Sequence, residues 1–442
     1  MSATGAPPGS LPKLMATAGA TSFAVLGVNF STGLLVARTL GPAGRGETAV
    51  LGSFALVVGW LASMGLSQGT TYLVARRPEE GRRIVGTSLM LIAVLGTVGV
   101  VCAQLVLPLF LGAQESSLLT VGRFYVFTVY FGVASGLLGG VLLGNQDFGS
   151  SNLIRFLQPA TYLAGLAALA IAGRLTVASV MLAGATSFGL VMVVALVRVM
   201  KTTGVGPPSA ALAKEAARYG VRVQGSVLGA LGSGRLDLLL LPTILPAASI
   251  GLYSVAVNTT AILTMLATSL ATFVLPVAAR RGGRGGAMLV ARMLRLTALL
   301  AVAVGIPLLI LAPQLLALVY GQDFVPATDA LRILVPGVVF AMGSRVTEPG
   351  LQAMNRPLAA STGQLLGLLV TAVGLTLTLR PYGIIGAAGT TTIAYAVAFF
   401  SSLHFLRQDE HFSLREACSL EGLWTDVARL DPRKLMRRSR AV

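Results

Sequence analysis

Long apolar stretches separated by short polar turns recur along nearly the whole chain. The hydrocarbon core of a bilayer is about 30 Å thick, so a helix that crosses it needs roughly 20 mostly apolar residues. The fold class predicted is therefore an all-α integral membrane protein with about twelve transmembrane helices. These spans lie at residues 14–37, 48–75, 84–112, 124–144, 156–173, 175–197, 219–242, 252–279, 296–319, 330–350, 358–379 and 382–405.

The composition agrees with this pattern. Of the 442 residues, 55% are hydrophobic and only 11% are charged, whereas a soluble domain carries roughly 25% charged residues. One large soluble core is therefore excluded.

Basic residues are concentrated in alternate turns. Clusters occur at Arg76, Arg77, Arg82 and Arg83, at Arg198, Lys201, Lys214 and Arg218, at Arg280, Arg281, Arg284 and Arg292, and in the C-terminal tail. Because basic loops stay on the cytoplasmic side, both termini are expected in the cytoplasm. The net charge of +17 thus has a topological origin, and no nucleic-acid partner is expected.

One break in composition suggests two lobes. The segment 199–218 contains Gly, Pro-Pro and a charged stretch, which predicts a cytoplasmic linker between a six-helix lobe at 14–198 and a second at 219–405. Matched residues support a duplication: the lobes share Leu40/Leu245, Ala43/Ala248 and Gly46/Gly251 at an offset of 205, Arg174/Arg380 at 206, Gly112/Gly321 at 209 and Asn145/Asn355 at 210. An even number of spans per copy makes the copies parallel repeats.

The two ends of the chain lie outside these lobes. Residues 1–13 form a cytoplasmic N-terminus, and residues 406–442 form a basic tail. In the tail, apolar residues recur at helical spacing, at Leu420, Leu423, Trp424, Val427 and Leu430. An amphipathic helix on the membrane surface and a disordered solubilising tail both fit this pattern.

No enzyme motif is present. The chain has no phosphate-binding loop that ends in Lys-Ser/Thr, no His-rich metal motif and no Ser/His/Asp arrangement. We therefore predict a protein that is not an enzyme and has no cofactor, catalytic residue or metal site.

The candidate binding residues are charges inside apolar spans, where a charge is costly unless it faces a cavity or a partner. These residues are Arg222, Arg235 and Asp237 in span seven, Arg345 and Glu348 in span ten, and Arg45 and Glu47 at the outer end of spans one and two. Structural pairing of Arg345 with Glu348, and of Arg235 with Asp237, is the alternative. Gly136, Gly140 and Gly144 form a small-residue face that predicts close helix packing.

Several segments in order resemble a known family. They are ARTLGPAGRGE (37–47), RLDLLLL (235–241), GLYSVAV (251–257), YGQDFVPATDALRIL (320–334), NRP (355–357) and PYGIIGAAGTTTIAY (381–395). Together they resemble the O-antigen and exopolysaccharide flippases of the multidrug/oligosaccharidyl-lipid/polysaccharide exporter superfamily, over residues 12–405.

The resemblance implies two six-helix lobes around a central cavity, with alternating access. It also implies transport of an undecaprenyl-diphosphate-linked oligosaccharide across the bacterial cytoplasmic (inner) membrane, with membrane lipids, a polysaccharide polymerase and glycosyltransferases as partners. Arg binds phosphate bidentately and stays charged, so unpaired Arg suits a diphosphate. Glu47 resembles an acid of the lipid II flippases, but the two extra helices of that group are missing.

Two other functions fit a protein of this class. A cation-coupled multidrug or small-solute antiporter needs a titratable acid in its cavity, and the acid typical of the first helix of drug exporters is missing from 14–37. A non-transporting scaffold of a polysaccharide synthase would have its intramembrane charges paired between helices.

Overall fold

A computed structural model of the chain describes residues 11–63, 65–111, 116–221, 237, 240–271, 274, 278, 282–354, 356–410 and 412–413. Within these residues every regular element is helical. The reason is physical, because a spanning segment must satisfy its backbone hydrogen bonds internally in lipid and the α-helix does so.

The chain divides into two compact units. The first comprises residues 1–231 and 238–254, and the second comprises residues 232–237 and 255–442. The helices that lie wholly in the first unit are α1 (Leu11–Ser63), α2 (Leu66–Arg76), α3 (Gly81–Phe110), α4 (Ser116–Tyr125), α5 (Thr128–Gly144), α6 (Phe148–Ile171), α7 (Val177–Thr202) and α8 (210–221).

Helix α9 (Ala247–Ala271) begins in the first unit and ends in the second. The remaining helices, all in the second unit, are α10 (Gly283–Ile310), α11 (Ala312–Val319), α12 (Thr328–Ala353) and α13 (Pro357–Arg407). Short 3₁₀ turns lie at Pro78–Glu80, Leu241–Thr243 and Gln322–Ala327.

Among the described residues, nine helical segments are long and apolar enough to cross a membrane. Two of them, Gly19–Ser63 and Leu358–Arg407, have 45 and 50 residues. At 1.5 Å per residue each is about 70 Å long, enough to cross the bilayer twice. A glycine with positive φ interrupts each one, Gly41 (φ 66°) next to Pro42 and Gly383 (φ 54°) near Pro381.

The Gly41 interruption falls between predicted spans one and two, and the Gly383 interruption falls at the second residue of predicted span twelve. Predicted span seven, at 219–242, lies mostly outside the described residues. The all-helical membrane fold is thus confirmed. The count of twelve and the parallel repeat stay predictions.

The glycine face of α5 packs closely on α2. Ser67 Oγ donates a 2.8 Å hydrogen bond to the Gly136 carbonyl oxygen. A Cβ at Gly140 would lie 2.6 Å from the Ser67 carbonyl oxygen, and one at Gly144 would lie 2.6 Å from Val74 Cβ. The predicted role of these glycines in helix packing is confirmed.

The segment predicted as a linker packs on other helices of the first unit, to which it belongs. The Gly206 N–H donates to the Arg82 carbonyl oxygen (2.8 Å), and the Ser209 N–H donates to Thr87 Oγ1 (3.0 Å). Helix α8 is then held by an Arg77–Glu215 ion pair of 3.0 Å. The lobe and linker boundaries drawn from the sequence stay predictions, but residues 204–221 contact the α2–α3 connection directly.

Tyrosine stacking adds to this attachment of α8. The rings of Tyr72 and Tyr219 stack with centroids 4.5 Å apart and planes 11° apart, and the Arg76 guanidinium lies 5.7 Å from the Tyr72 centroid. Exposed ion pairs contribute only about 0–1 kcal/mol each. The buried side chains Leu212 and Ala216 add apolar contacts that hold α8 in place.

Candidate functional site

The predicted residues of span seven are only partly described. Arg222 and Arg235 lie outside the described residues, so their assignment to a site stays a prediction. Asp237 is buried, with 7% of its surface exposed, and it has an interaction partner. The tail pattern at 420–430 also lies outside the described residues.

Arg345 and Glu348 lie three residues apart on α12, and their side chains have different surroundings. Glu348 is half-buried, and its Oε1 accepts a hydrogen bond from Gln364 Nε2 on α13. Arg345 is exposed and makes no hydrogen bond or ion pair with any described residue, although it is near enough to Glu348 for a charge interaction. The Glu348 carboxylate therefore accepts a hydrogen bond from the Gln364 amide, and the Arg345 guanidinium donates no hydrogen bond to a described residue.

Two more arginines lie at the same depth on a neighbouring helix. A Cβ at Gly350 would lie 3.0 Å from Val290 Cγ1, and one at Gly305 would lie 3.5 Å from Val335 Cγ1, so α10 and α12 run antiparallel. This register places Arg292 level with Glu348 and Arg295 level with Arg345. Both are half-buried and have interaction partners.

The position of Arg292 corrects the sequence analysis, which placed it in the turn before a span starting at 296. Helix α10 already begins at Gly283, because Ala287, Leu289, Val290 and Ala291 supply a buried apolar face ahead of the basic residues. Arg295 was missed. Arg295 lies three residues after Arg292, so the two share one helix face, and this spacing could have identified Arg295 from the sequence.

In the first unit, Arg45 and Glu47 follow the Gly41 interruption of α1. Both are half-buried and both have interaction partners. Arg45 is near enough to Tyr162 on α6 for a charge interaction, and Tyr162 is in turn near Tyr125 on α4. The two tyrosines were missed, because a tyrosine in an apolar span gives no distinctive signal.

Arg155 is a further intramembrane arginine that the sequence analysis missed. It is exposed on α6, and its Nη2 donates a 3.4 Å hydrogen bond to Ser22 Oγ on α1. A lone basic residue near a span end is ordinary in a membrane protein, so its sequence context did not distinguish it.

The structure thus brings the predicted residues together in two groups. In the second unit, Arg345 and Glu348 join Gln364, with Arg292 and Arg295 at the same depth. In the first unit, Arg45 lies near Tyr162, and Tyr162 lies near Tyr125. Guanidinium groups within apolar helices can bind a phosphate through paired N–H donors. Within the described part of the chain, no group of three His, Cys, Asp or Glu residues could hold a metal ion.

Solved structures share this arrangement of helices. The lipid II flippase MurJ in an inward closed conformation superposes with a TM-score of 0.76 at 14% identity, covering 93% of this chain and 91% of that chain. An inward-facing multidrug resistance MATE family transporter of the MOP superfamily gives 0.69 at 17% identity, covering 87% and 94%. The chain therefore has the multi-pass helical membrane fold of these two proteins.

Sequence comparison identifies the family. The family model described as polysaccharide biosynthesis protein matches residues 19–281, and the chain belongs to this family. A probable low-salt glycan biosynthesis flippase, Agl15, of Haloferax volcanii is 22% identical over 294 residues, which is 63% of this chain. The alignment spans 61% of the length of that relative, less than two-thirds of it.

Proposed function

We propose that this protein is a flippase for an undecaprenyl-diphosphate-linked oligosaccharide. It moves this lipid across the bacterial cytoplasmic membrane by alternating access, with both termini in the cytoplasm, and so supplies cell-surface polysaccharide biosynthesis. The family match and the flippase relative support the glycan part of the cargo.

The observation that carries the diphosphate part is the state of Arg345. A charge inside a membrane span is costly unless it faces a cavity or a partner, and no described carboxylate forms a direct ion pair with Arg345. Glu348, the nearest candidate, is instead hydrogen-bonded by Gln364. A dense anion such as a diphosphate, bound by the paired N–H donors of the guanidinium, explains why an arginine occupies this position.

A second candidate function is cation-coupled antiport. Its support is Glu348, a half-buried carboxylate inside a span, together with the fold shared with a multidrug transporter. An antiporter of this kind would depend on the Glu348 carboxylate, and a flippase of the proposed kind would depend on the Arg345 guanidinium.

Substitution of Arg345 tests the proposal. Arg345→Ala should abolish surface polysaccharide and cause lipid-linked oligosaccharide to accumulate, while the protein stays in the membrane. Arg345→Lys should restore export only in part, since Lys lacks the bidentate fork. Arg332 provides a matched control because it is also an exposed arginine on α12, and its Nε donates to the Leu309 carbonyl oxygen.

Arg332→Ala should therefore export normally. Normal export by Arg345→Ala at wild-type protein levels would contradict the proposed role of this residue. Loss of export in both variants would indicate a general sensitivity of α12 instead of a site.

A further inference from the structure

The helices of the first unit are irregular at three places, one in the turn predicted between spans one and two and two inside candidate spans. Helix α1 breaks at Gly41. The span Leu118–Gly144 is interrupted between α4 and α5, where the N–H groups of Phe127, Val129 and Tyr130 donate to carbonyl oxygens three residues back. Helix α6 contains Pro159, which cannot donate a hydrogen bond. Irregular backbone at membrane depth is tolerated where it is buried in protein or lines a cavity.

A polar side chain, tyrosine in two cases and arginine in one, follows or ends each irregularity. Tyr125 is the last residue of α4, Tyr162 lies three residues after Pro159, and Arg45 lies four residues after Gly41. The Ser187 Oγ of α7 donates a 2.6 Å hydrogen bond to the Gln158 carbonyl oxygen. The irregular turn that carries Tyr162 is thus fixed to a neighbouring helix.

The two tyrosine rings face one point on α7. A Cβ at Gly184 would lie 3.5 Å from both Cε2 and the hydroxyl oxygen of Tyr125, and 3.6 Å from Tyr162 Cε2. The absence of a side chain at Gly184 leaves space beside both rings. Tyr162 is half-buried, and its hydroxyl has no hydrogen-bond partner among the described residues.

The cluster lies farther from the ends of its candidate spans than an interfacial aromatic belt would. Tyr125 lies seven residues from Leu118, Tyr162 nine from Ile171, and Gly184 seven from Val177. At 1.5 Å per residue, these distances place the cluster about 10–14 Å inside the ends of the three spans. Tyrosines of the belt lie at the headgroup level instead.

Two phenols and one guanidinium suit a sugar ring better than a lipid tail or a diphosphate. A sugar presents hydroxyls that donate and accept hydrogen bonds together with an apolar C–H face. Tyrosine offers a hydroxyl that does both and an aromatic face. A lipid tail offers no hydrogen-bond partner to the phenol hydroxyls, and a diphosphate calls for more than one cation.

We propose that Tyr125, Tyr162 and Arg45 form a sugar-binding subsite beside Gly184, which holds a sugar of the cargo during transport. This inference rests on the proposed flippase function and adds to it a contact for the glycan. The subsite is built within the first unit, apart from Arg345 in the second.

Binding of defined lipids to the full-length protein in nanodiscs tests the subsite. The probes are undecaprenyl diphosphate and the same lipid linked to N-acetylglucosamine, glucose or galactose, each radiolabelled. At least one sugar lipid should bind the wild type about tenfold more tightly than the bare lipid, a difference that a few hydrogen bonds supply. We expect the preference for the sugar lipid to fall below about threefold in the double variant Tyr125→Phe/Tyr162→Phe, and also in the single variant Gly184→Val. Binding of the bare lipid should not change in either variant.

Two matched controls use the same chemistry elsewhere in the first unit. Tyr130→Phe removes a phenol hydroxyl from α5, where the ring lies beside Gly96, and Gly189→Val fills a site on α7 where a Cβ would lie 3.7 Å from Phe131. Both controls should retain the preference for the sugar lipid.

The outcomes distinguish the two proposals. Binding of no probe by the wild type would contradict the flippase function itself. Equal binding of the bare and sugar lipids by the wild type, or an undiminished preference in the tyrosine and Gly184 variants, would overturn the subsite alone. An equal loss for bare and sugar lipids in those variants would also overturn it, since the residues would then act on structure or on the diphosphate.

Discussion

Gly46 and Gly251 lie at a crossing of α1 and α9 where the two backbones touch. A Cβ at Gly46 would be 1.7 Å from the Ala247 carbonyl oxygen, and a Cβ at Gly251 would be 1.8 Å from the Pro42 carbonyl oxygen. The offset of 205 that relates Gly46 to Gly251 also relates Pro42 to Ala247. The contact is thus reciprocal, as in an isologous two-fold contact, and it supports the duplication inferred from the turns.

Substitution at this crossing should destabilise the protein. Gly46→Ala places a methyl group against backbone atoms. A side chain could avoid the clash by changing rotamer, but a backbone cannot. Overpacking of this kind costs about 1–3 kcal/mol. We expect a lower melting temperature in detergent and a smaller monodisperse fraction on size exclusion. Gly52→Ala is the control on the same helix, since a Cβ there meets nothing within 4 Å. Equal stability of the two variants would refute the close crossing.

Replacement of Glu348, which accepts a hydrogen bond from Gln364, distinguishes the two candidate functions. Glu348→Gln removes the charge but keeps a carbonyl oxygen that can accept from Gln364, so a flippase should keep export within about twofold, given that a neutral hydrogen bond still forms. Surface polysaccharide and the level of lipid-linked intermediate report this. Loss of export with normal membrane insertion would favour an acid-dependent antiporter. Glu348→Leu should reduce folded protein, because the Gln364 amide would then lose this acceptor.

The attachment of residues 204–221 should depend on Gly86. A Cβ at Gly86 would lie 1.9 Å from the Gly206 carbonyl oxygen, so Gly86→Leu should displace this segment and with it α8. The exposed Lys214 should then become a faster site of trypsin cleavage in inside-out vesicles. Gly132→Leu, at a position where a Cβ meets nothing within 4 Å, should leave the cleavage rate unchanged. Unaltered cleavage in Gly86→Leu would contradict the docking.

The distribution of basic turns predicts the topology. Reporter fusions after residues 80, 205, 285 and 410 should report the cytoplasm, and fusions after 115 and 325 should report the outside. Alkaline phosphatase and green fluorescent protein fusions provide the two readouts. A reversed result at 205 would rule out six spans in the first repeat.

The hydropathy of this sequence determined the all-helical membrane class and the positions of several helices. The helix interruptions at Gly41 and Gly383 fall within or just past the predicted turns, and the Gly136–Gly144 face packs as predicted. These features are local, because burial in lipid and the backbone freedom of glycine act on a residue through its immediate neighbours. The family resemblance came from ordered local motifs, and the match of the family model to residues 19–281 confirmed it.

The tertiary structure decided which polar groups meet. Glu348 bonds to Gln364 from another helix, Arg292 belongs to α10 and not to a turn, and Tyr125 and Tyr162 meet beside Gly184 although 37 residues separate them in the chain. Hydropathy assigns each residue a transfer cost, but a polar group within a span is stabilised by partners on helices far away in sequence. Those partners are set by helix packing, and so the composition of the candidate sites could be known only from the folded chain.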